Sequence, residues 1–196
     1  MDKRVLLLAA TTGYQTRMFG DAAERLGIEL VFATDRCHKL EDPWADRAVP
    51  IRFHREAESV QAIVNAVRNR PLDGVLAVGD RPTVIAASVA AALDLPWHPP
   101  AAAAIARHKQ HTRARLRDTG LPVPWFIETS IDADPAALAR SISYPCVVKP
   151  VALSGSRGVM RADDPRSFVG AFERLRRLLK SADVRAERND AHDRAL

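Results

Sequence analysis

"YPCVVKPVALSGSRGVMRADD", residues 144–164, decides how this chain is read. An apolar run ends at Lys149, a segment with Ser154, Gly155, Ser156 and Gly158 follows, and GVMR (158–161) resumes a strand-like pattern. The order of these parts matters. In a Walker loop the lysine follows the glycines and opens a helix, so that loop backbone and helix N-terminus hold phosphates together. A protein-kinase glycine loop also precedes its lysine. Here the lysine comes first and sits on a strand, which makes the unit a hairpin with a glycine-rich tip. Such a tip can fold over a row of phosphates as a flap. Its glycines let backbone N–H groups turn toward anionic oxygens, Ser154 and Ser156 add hydroxyl donors, and Lys149 supplies charge from below. The competing reading is an exposed hairpin whose lysine snorkels to water.

Around the hairpin the pattern is that of a small α+β unit. WFIE (125–128) reads as a strand, DADP (132–135) as a helix start, and DDP (163–165) as the start of a longer helix. In that helix Phe168, Phe172, Leu175 and Leu179 fall at spacings of four, three and four, one packed stripe. After Lys180 the sequence SADVRAERNDAHDRAL is too polar to bury a face of its own, and Asp183, Glu187 and Asp190 in it are not promoted to metal ligands. Upstream, the first hundred residues alternate short apolar runs with helical patterns, the rhythm of βαβ units on a parallel sheet. VLLLAA (5–10), IELVFAT (28–34) and GVLAVG (74–79) are its strands, with a further short one at AVPI (48–51). Helices are expected over 15–26, 58–68 and the Ala-rich stretch after Pro82. One long helix is expected from Pro100 to about Asp118, stopped by Gly120 and the two prolines of LPVPWF. A 100° step places Ile105, Lys109, Thr112 and Leu116 on one stripe of it, with Arg113 and Arg117 on the flank. A lysine on a half-buried stripe either snorkels or meets an anion.

Composition bounds the answer without choosing it. The chain has 196 residues, 47% hydrophobic and 27% charged, with a net charge of +5, which suits nucleotides, acidic metabolites or nucleic acid about equally. No stretch reaches the roughly 20 apolar residues of a membrane helix. The short apolar run of MDKRVLLLAATTG is read as a strand and not as a signal peptide, so a cytoplasmic location is expected. Cys37 and Cys146 make neither a metal motif nor a disulfide framework and are expected as reduced thiols.

Lys109 on a helix, then TGLPVPWF, a helix, and YPCVVKPVALSGSRGV resemble the order found in ATP-grasp proteins, over most of residues 1 to 180. The resemblance implies a Rossmann-like α/β pre-ATP-grasp domain with a parallel sheet over 1–99. It implies a linking helix and Pro-rich connection over 100–124, a small ATP-grasp α+β lobe with the flap over 125–180, and a polar tail over 181–196. It also implies that Lys109, Lys149, Ser154, Gly155, Ser156 and Gly158 bind ATP, with magnesium neutralising the phosphates. The activity implied is that of a ligase that converts a small carboxylate to an acyl phosphate for attack by an amine or other nucleophile. The family's adenine-holding strand and its magnesium-binding large lobe have no counterpart in these residues. The chain is therefore expected to be inactive alone, as a truncated ligase portion or as a nucleotide-binding or regulatory module paired with a separate chain carrying that lobe.

Other residues receive weaker readings. Thr12 and Gly13 after the first strand, and Gly79 and Asp80 after GVLAV, stand where parallel sheets hold ligands and form a candidate substrate pocket; ordinary turn chemistry, with Asp80 capping the next helix, is the alternative. Asp35 has the spacing of a ribose-binding acid, but without GxGxxG a dinucleotide site is rejected. His108 and His111 lack a third ligand and are read as a solvated face, and Trp44, Trp97 and Trp125 as packing residues. A nucleic-acid-binding helix at RHKQHTRARLR ranks last, since it leaves the βαβ region and the flap unexplained.

Overall fold

The computed structural model describes residues 3–10, 14–35 and 48–187, and the chain divides into two compact units, Met1–Arg107 and His108–Leu196. Thr12, Gly13, Cys37, Trp44 and Asp190 lie outside the described residues.

The first unit runs β1 (Arg4–Ala9), α1 (Tyr14–Leu26), β2 (Glu29–Thr34), β3 (Ala48–Pro50), α2 (Glu56–Val67), β4 (Gly74–Val78), α3 (Pro82–Ala92) and α4 (Pro100–Arg107). Its strands form one parallel sheet in the order β3-β2-β1-β4. Successive side chains of a strand point to opposite faces, so the apolar run of β1 serves two cores. Leu6 and Leu8 pack with Val31, Ala33 and Val75 against Ile63 of α2 and Ile85 and Val89 of α3. Leu7 and Ala9 pack with Leu30 and Phe32 against Ala23 of α1. This is the doubly wound α/β fold. Pro82 opens α3, and the small side chains that follow are buried on several sides; Val84 and Ala87 meet Ala103 of α4 and Trp97. At the amino-terminal ends of the strands, Glu29 accepts from Arg4 Nε at 3.2 Å and pairs with Arg70, whose carbonyl accepts from the Arg4 guanidinium. Burial alone would raise the Glu29 carboxyl; the hydrogen bonds and charges of the two arginines outweigh it and hold it below its ordinary range.

The second unit runs α5 (Lys109–Asp118), α6 (Pro135–Ala139), β5 (Cys146–Val148), β6 (Met160–Ala162), α7 (Pro165–Lys180) and α8 (Ala182–Glu187). β5 and β6 pair antiparallel, with Val147 opposite Arg161. α7 starts on a capping box: Asp164 Oδ1 accepts from Ser167 N at 2.8 Å, and Ser167 Oγ accepts from Asp164 N at 3.1 Å. Phe168, Phe172, Leu175 and Leu179 are all buried and pack with Val148, Ala162, Ile131 and Ala139. Arg176 ties α7 to the preceding segment: Nε donates to Ile131 O at 2.5 Å, Nη2 to Ala133 O at 2.6 Å, and the guanidinium lies 5.0 Å from the Phe172 ring centre.

Four sequence expectations are corrected here. The helix expected over 100–118 is two helices, because His108 takes an extended backbone, φ −100° and ψ 107°, and caps α5 with its own imidazole: Nδ1 accepts from His111 N at 3.3 Å. His108 is accordingly buried and its ring stacks on His111 at 3.7 Å, so it is not part of a solvated face. WFIE forms no strand, since strand propensity is realised only against a partner strand and none of the described residues pairs with it; Trp125 is 58% exposed. Beyond Lys180, α8 buries Val184 in the α7 core, borrowing a neighbour's apolar face where its own sequence has none.

Candidate functional site

The hairpin is held from two sides. Lys109 grips its first half: the backbone N donates to Val151 O at 3.0 Å and Nζ donates to Leu153 O at 2.7 Å. Those bonds go to the hairpin because His108 has broken the helical ladder. On the other side Gly158, at φ +74°, lies against α7 so closely that a Cβ there would stand 2.7 Å from Leu175 Cδ1 and 2.9 Å from Leu178 Cδ2. Only glycine meets both conditions. Between these anchors Ser154, Gly155 and Ser156 are exposed, and Gly155 (φ +65°) and Ser156 (φ +57°) are both left-handed. Ser156 holds a conformation that costs a non-glycine residue about 1 kcal/mol.

Lys149 directly follows β5 and is half-buried between the buried Val148 and Pro150. Burial first, and the charge of Arg113 second, push its ammonium below its usual value; among the described residues no carboxylate acts against them. Arg113 lies one turn beyond Lys109 on α5, with its guanidinium 5.8 Å from the Phe126 ring centre, and Arg117 approaches the same ring at 5.6 Å. Thus Lys109, Arg113 and Lys149 stand beside a loop of exposed hydroxyls. Sequence reasoning missed Arg113 because the helical wheel was phased from Ile105, across the break at His108. Phased from Lys109, the four-residue step puts Arg113 on the lysine's face.

Such a cluster can hold phosphate oxygens by charge and by hydroxyl and backbone donation. It does not fit magnesium: cations and neutral hydroxyls are the wrong donors for a hard divalent ion, and among the described residues no group of three or more His, Cys, Asp or Glu side chains could hold a metal. Cys146 is a free thiol whose acidity is lowered by burial and by Asp163.

In the first unit, Asp80 lies just past β4 and pairs loosely with Arg107 Nε at 3.8 Å; Arg107 Nη1 is 3.6 Å from Glu56. Asp80 does not cap α3 with its side chain: the capping position is Arg81, and it has no side-chain capping bond. Arg81 lies 3.9 Å from Asp35 and 5.5 Å from the Phe53 ring centre. Arg107 Nε and Asp35 Oδ1 are buried without a hydrogen-bond partner among the described residues. These groups gather at the carboxyl ends of the strands, where open parallel sheets hold ligands. Among the described residues no helix is long and apolar enough to cross a membrane.

Residues 20–97 match the ATP-grasp N-terminal domain family. The chain is 26% identical over 167 residues to the ATP-grasp enzyme fsqD of Aspergillus fumigatus, covering 80% of this chain and 28% of that enzyme. Among solved structures, the L-amino acid ligase from Bacillus licheniformis superposes with a TM-score of 0.70 at 25% identity, over 89% of this chain and 42% of the ligase. A carboxyaminoimidazole ribonucleotide synthase from Aspergillus clavatus, solved in complex with ATP, superposes with a TM-score of 0.63 at 20% identity, over 89% of this chain and 44% of that one. Residues 20–97 thus match an ATP-grasp N-terminal domain, and the longer chain is similar to the amino-terminal portion of ATP-grasp enzymes. It spans less than half the length of each of these relatives.

Proposed function

We propose that the second unit binds the phosphates of ATP through Lys109, Lys149 and the Ser154–Gly158 hairpin, as part of an ATP-grasp ligase. The observation that carries this reading is the half-buried Lys149, which feels the Arg113 charge and on which no acid acts among the described residues. A cation in that position is stabilised by a bound anion. In the reaction, a carboxylate oxygen attacks the γ-phosphorus of ATP, ADP leaves, and an amine or other nucleophile then displaces phosphate from the acyl phosphate. The lysines and the loop would hold the triphosphate in line and offset its charge, which is how enzymes of phosphoryl transfer gain most of their rate. Magnesium, where it takes part, would be held by other residues than these.

We assign residues 1–99 as the pre-ATP-grasp domain and 125–180 as the small lobe, in a cytoplasmic protein. Asp80, with Thr12 and Gly13, would line the pocket for a small carboxylate substrate. Arg81 and Arg107 support this, as guanidiniums suited to a carboxylate. The 196 residues on their own would bind ATP weakly and not ligate, since they span only 42% of the ligase they superpose on; the remaining lobe is needed, from the same chain or a separate one.

Nucleotide binding and phosphate release test both statements. Purified protein should retain ATP in equilibrium dialysis, and Lys149→Ala should lose it; equal retention by the variant removes the phosphate site. No steady ATP- and magnesium-dependent phosphate release is expected from these 196 residues. Release that disappears in Lys149→Ala would show them to be catalytic unaided.

A further inference from the structure

Of the three cations beside the hairpin, the sequence marks two as ligands and leaves Arg113 on the flank of the Lys109 stripe. Its surroundings give it a larger part. It is half-buried and has no carboxylate partner among the described residues, whereas Arg107 has Glu56 and Asp80, Arg161 has Asp163, and Arg176 has Glu173. The helix that carries it is fixed to the hairpin by both nitrogens of Lys109, at 3.0 and 2.7 Å, and the Arg113 charge acts on Lys149 at the end of β5. The Phe126 ring lies against its guanidinium, which leaves the N–H edge of the fork for hydrogen bonding.

We propose that Arg113 is a third phosphate-binding residue of this site, one that reads the length of the phosphate chain by engaging the oxygens beyond the α-phosphate. A planar fork with five donors binds a phosphate through two oxygens at once, where an ammonium acts as a point charge. The proximity of the Arg113 charge to Lys149, felt in the lowered acid range of that ammonium, supports the same placement. Two cations held this close without an acid repel one another until an anion arrives. The inference rests on the reading of the site as a triphosphate site, and its test keeps the two apart.

The full-length protein is dialysed against ATP and against AMP, comparing wild type with Arg113→Gln, Arg117→Gln and Lys149→Ala. Arg113→Gln should weaken ATP about tenfold and AMP less than about twofold, the loss expected for hydrogen bonds to a charged group. Arg117→Gln, which also touches the Phe126 ring, should leave both within about twofold. If Arg113→Gln binds ATP as the wild type does while Lys149→Ala does not, the role of Arg113 is wrong and the site stands. Equal losses for ATP and AMP, or an equal loss in Arg117→Gln, would reduce Arg113 to general positive charge and overturn the proposal. If the wild type retains no ATP, or Lys149→Ala retains it fully, the site itself fails and Arg113 with it. A measurement on the unaltered protein removes any dependence on how the variants fold: ATP, and not AMP, should shift the Arg113 Nε–H resonance, and an unmoved resonance in an ATP-saturated sample refutes the contact.

Discussion

At the amino-terminal ends of the first unit's strands, Glu29 meets Arg4 and Arg70; beside the hairpin of the second unit, Lys149 meets Arg113. Both titrating groups lie below their ordinary ranges, for opposite reasons. Glu29 is held in its charged form by two guanidiniums, of which that of Arg4 also donates to the Arg70 backbone carbonyl, a closed arrangement that needs nothing further. Lys149 is pushed toward its neutral form by burial and by a second cation. The first cluster fastens the amino-terminal ends of the two inner strands. The second holds a cation on which no carboxylate acts among the described residues, and perturbed groups of that kind gather at functional sites.

The sharpest way to break this contrast is to remove the frame that holds Lys149 in place. Gly158→Ala puts a methyl within 2.7 Å of Leu175 Cδ1 at a left-handed residue, so overpacking and backbone strain add. We expect the second unit to lose about 2 to 4 kcal/mol, read as earlier hydrogen exchange in α7, with the amides of β1 and β2 unchanged. Protection in α7 equal to wild type would mean that the hairpin does not depend on this contact.

A smaller effect is expected at the closed cluster. Glu29→Gln strips two guanidiniums of their charged partner at a partly exposed edge, and should cost about 1 kcal/mol. Because the folded Glu29 lies below 4.5, its contribution is fully present above that pH and is lost as pH falls through the folded value. The wild type should therefore lose stability on acidification more steeply than Glu29→Gln does. Parallel acid limbs would show that the arginines do not favour the carboxylate.

The two clusters also differ in how far sequence could reach them. β1 and β2 are legible as apolar runs because each is buried on both faces, β4 because its run is apolar although only Val75 in it is buried, and α7 because one stripe faces one core. The hairpin order, with Lys149 before the glycines, was legible for the same local reason. What escaped depends on contacts distant in sequence. The break at His108 goes with a bond from Lys109 N to the Val151 carbonyl, which no periodicity encodes, and it rotates the whole phase of α5. WFIE has strand residues but no strand beside it, and Phe126 spends its face on two arginines. α8 is apolar only through Val184, whose partners are on α7. Arg113 thus went unread: its neighbours are set by that rotation.

The smallest expected effect separates the clusters most cleanly. In the absence of nucleotide, Arg113→Gln gives up one guanidinium contact with Phe126, about 0.5 kcal/mol, while Arg117 keeps its own place on the ring. It also relieves the repulsion at Lys149, which acts in the opposite direction. The net change should stay within about 0.5 kcal/mol, less than Glu29→Gln costs, although the same substitution weakens ATP. Lys149 fixes the sign of the pH dependence: its folded value lies below 10.5, so the penalty on its charged form is complete below that folded value and fades as pH rises toward 10.5. Arg113→Gln should move the Lys149 ammonium back toward 10.5 and flatten that alkaline rise in stability. A titration of the lysine ε-protons that places Lys149 at the same value in both proteins would mean that the two cations do not sense each other, and the contrast with Glu29 would then rest on burial alone.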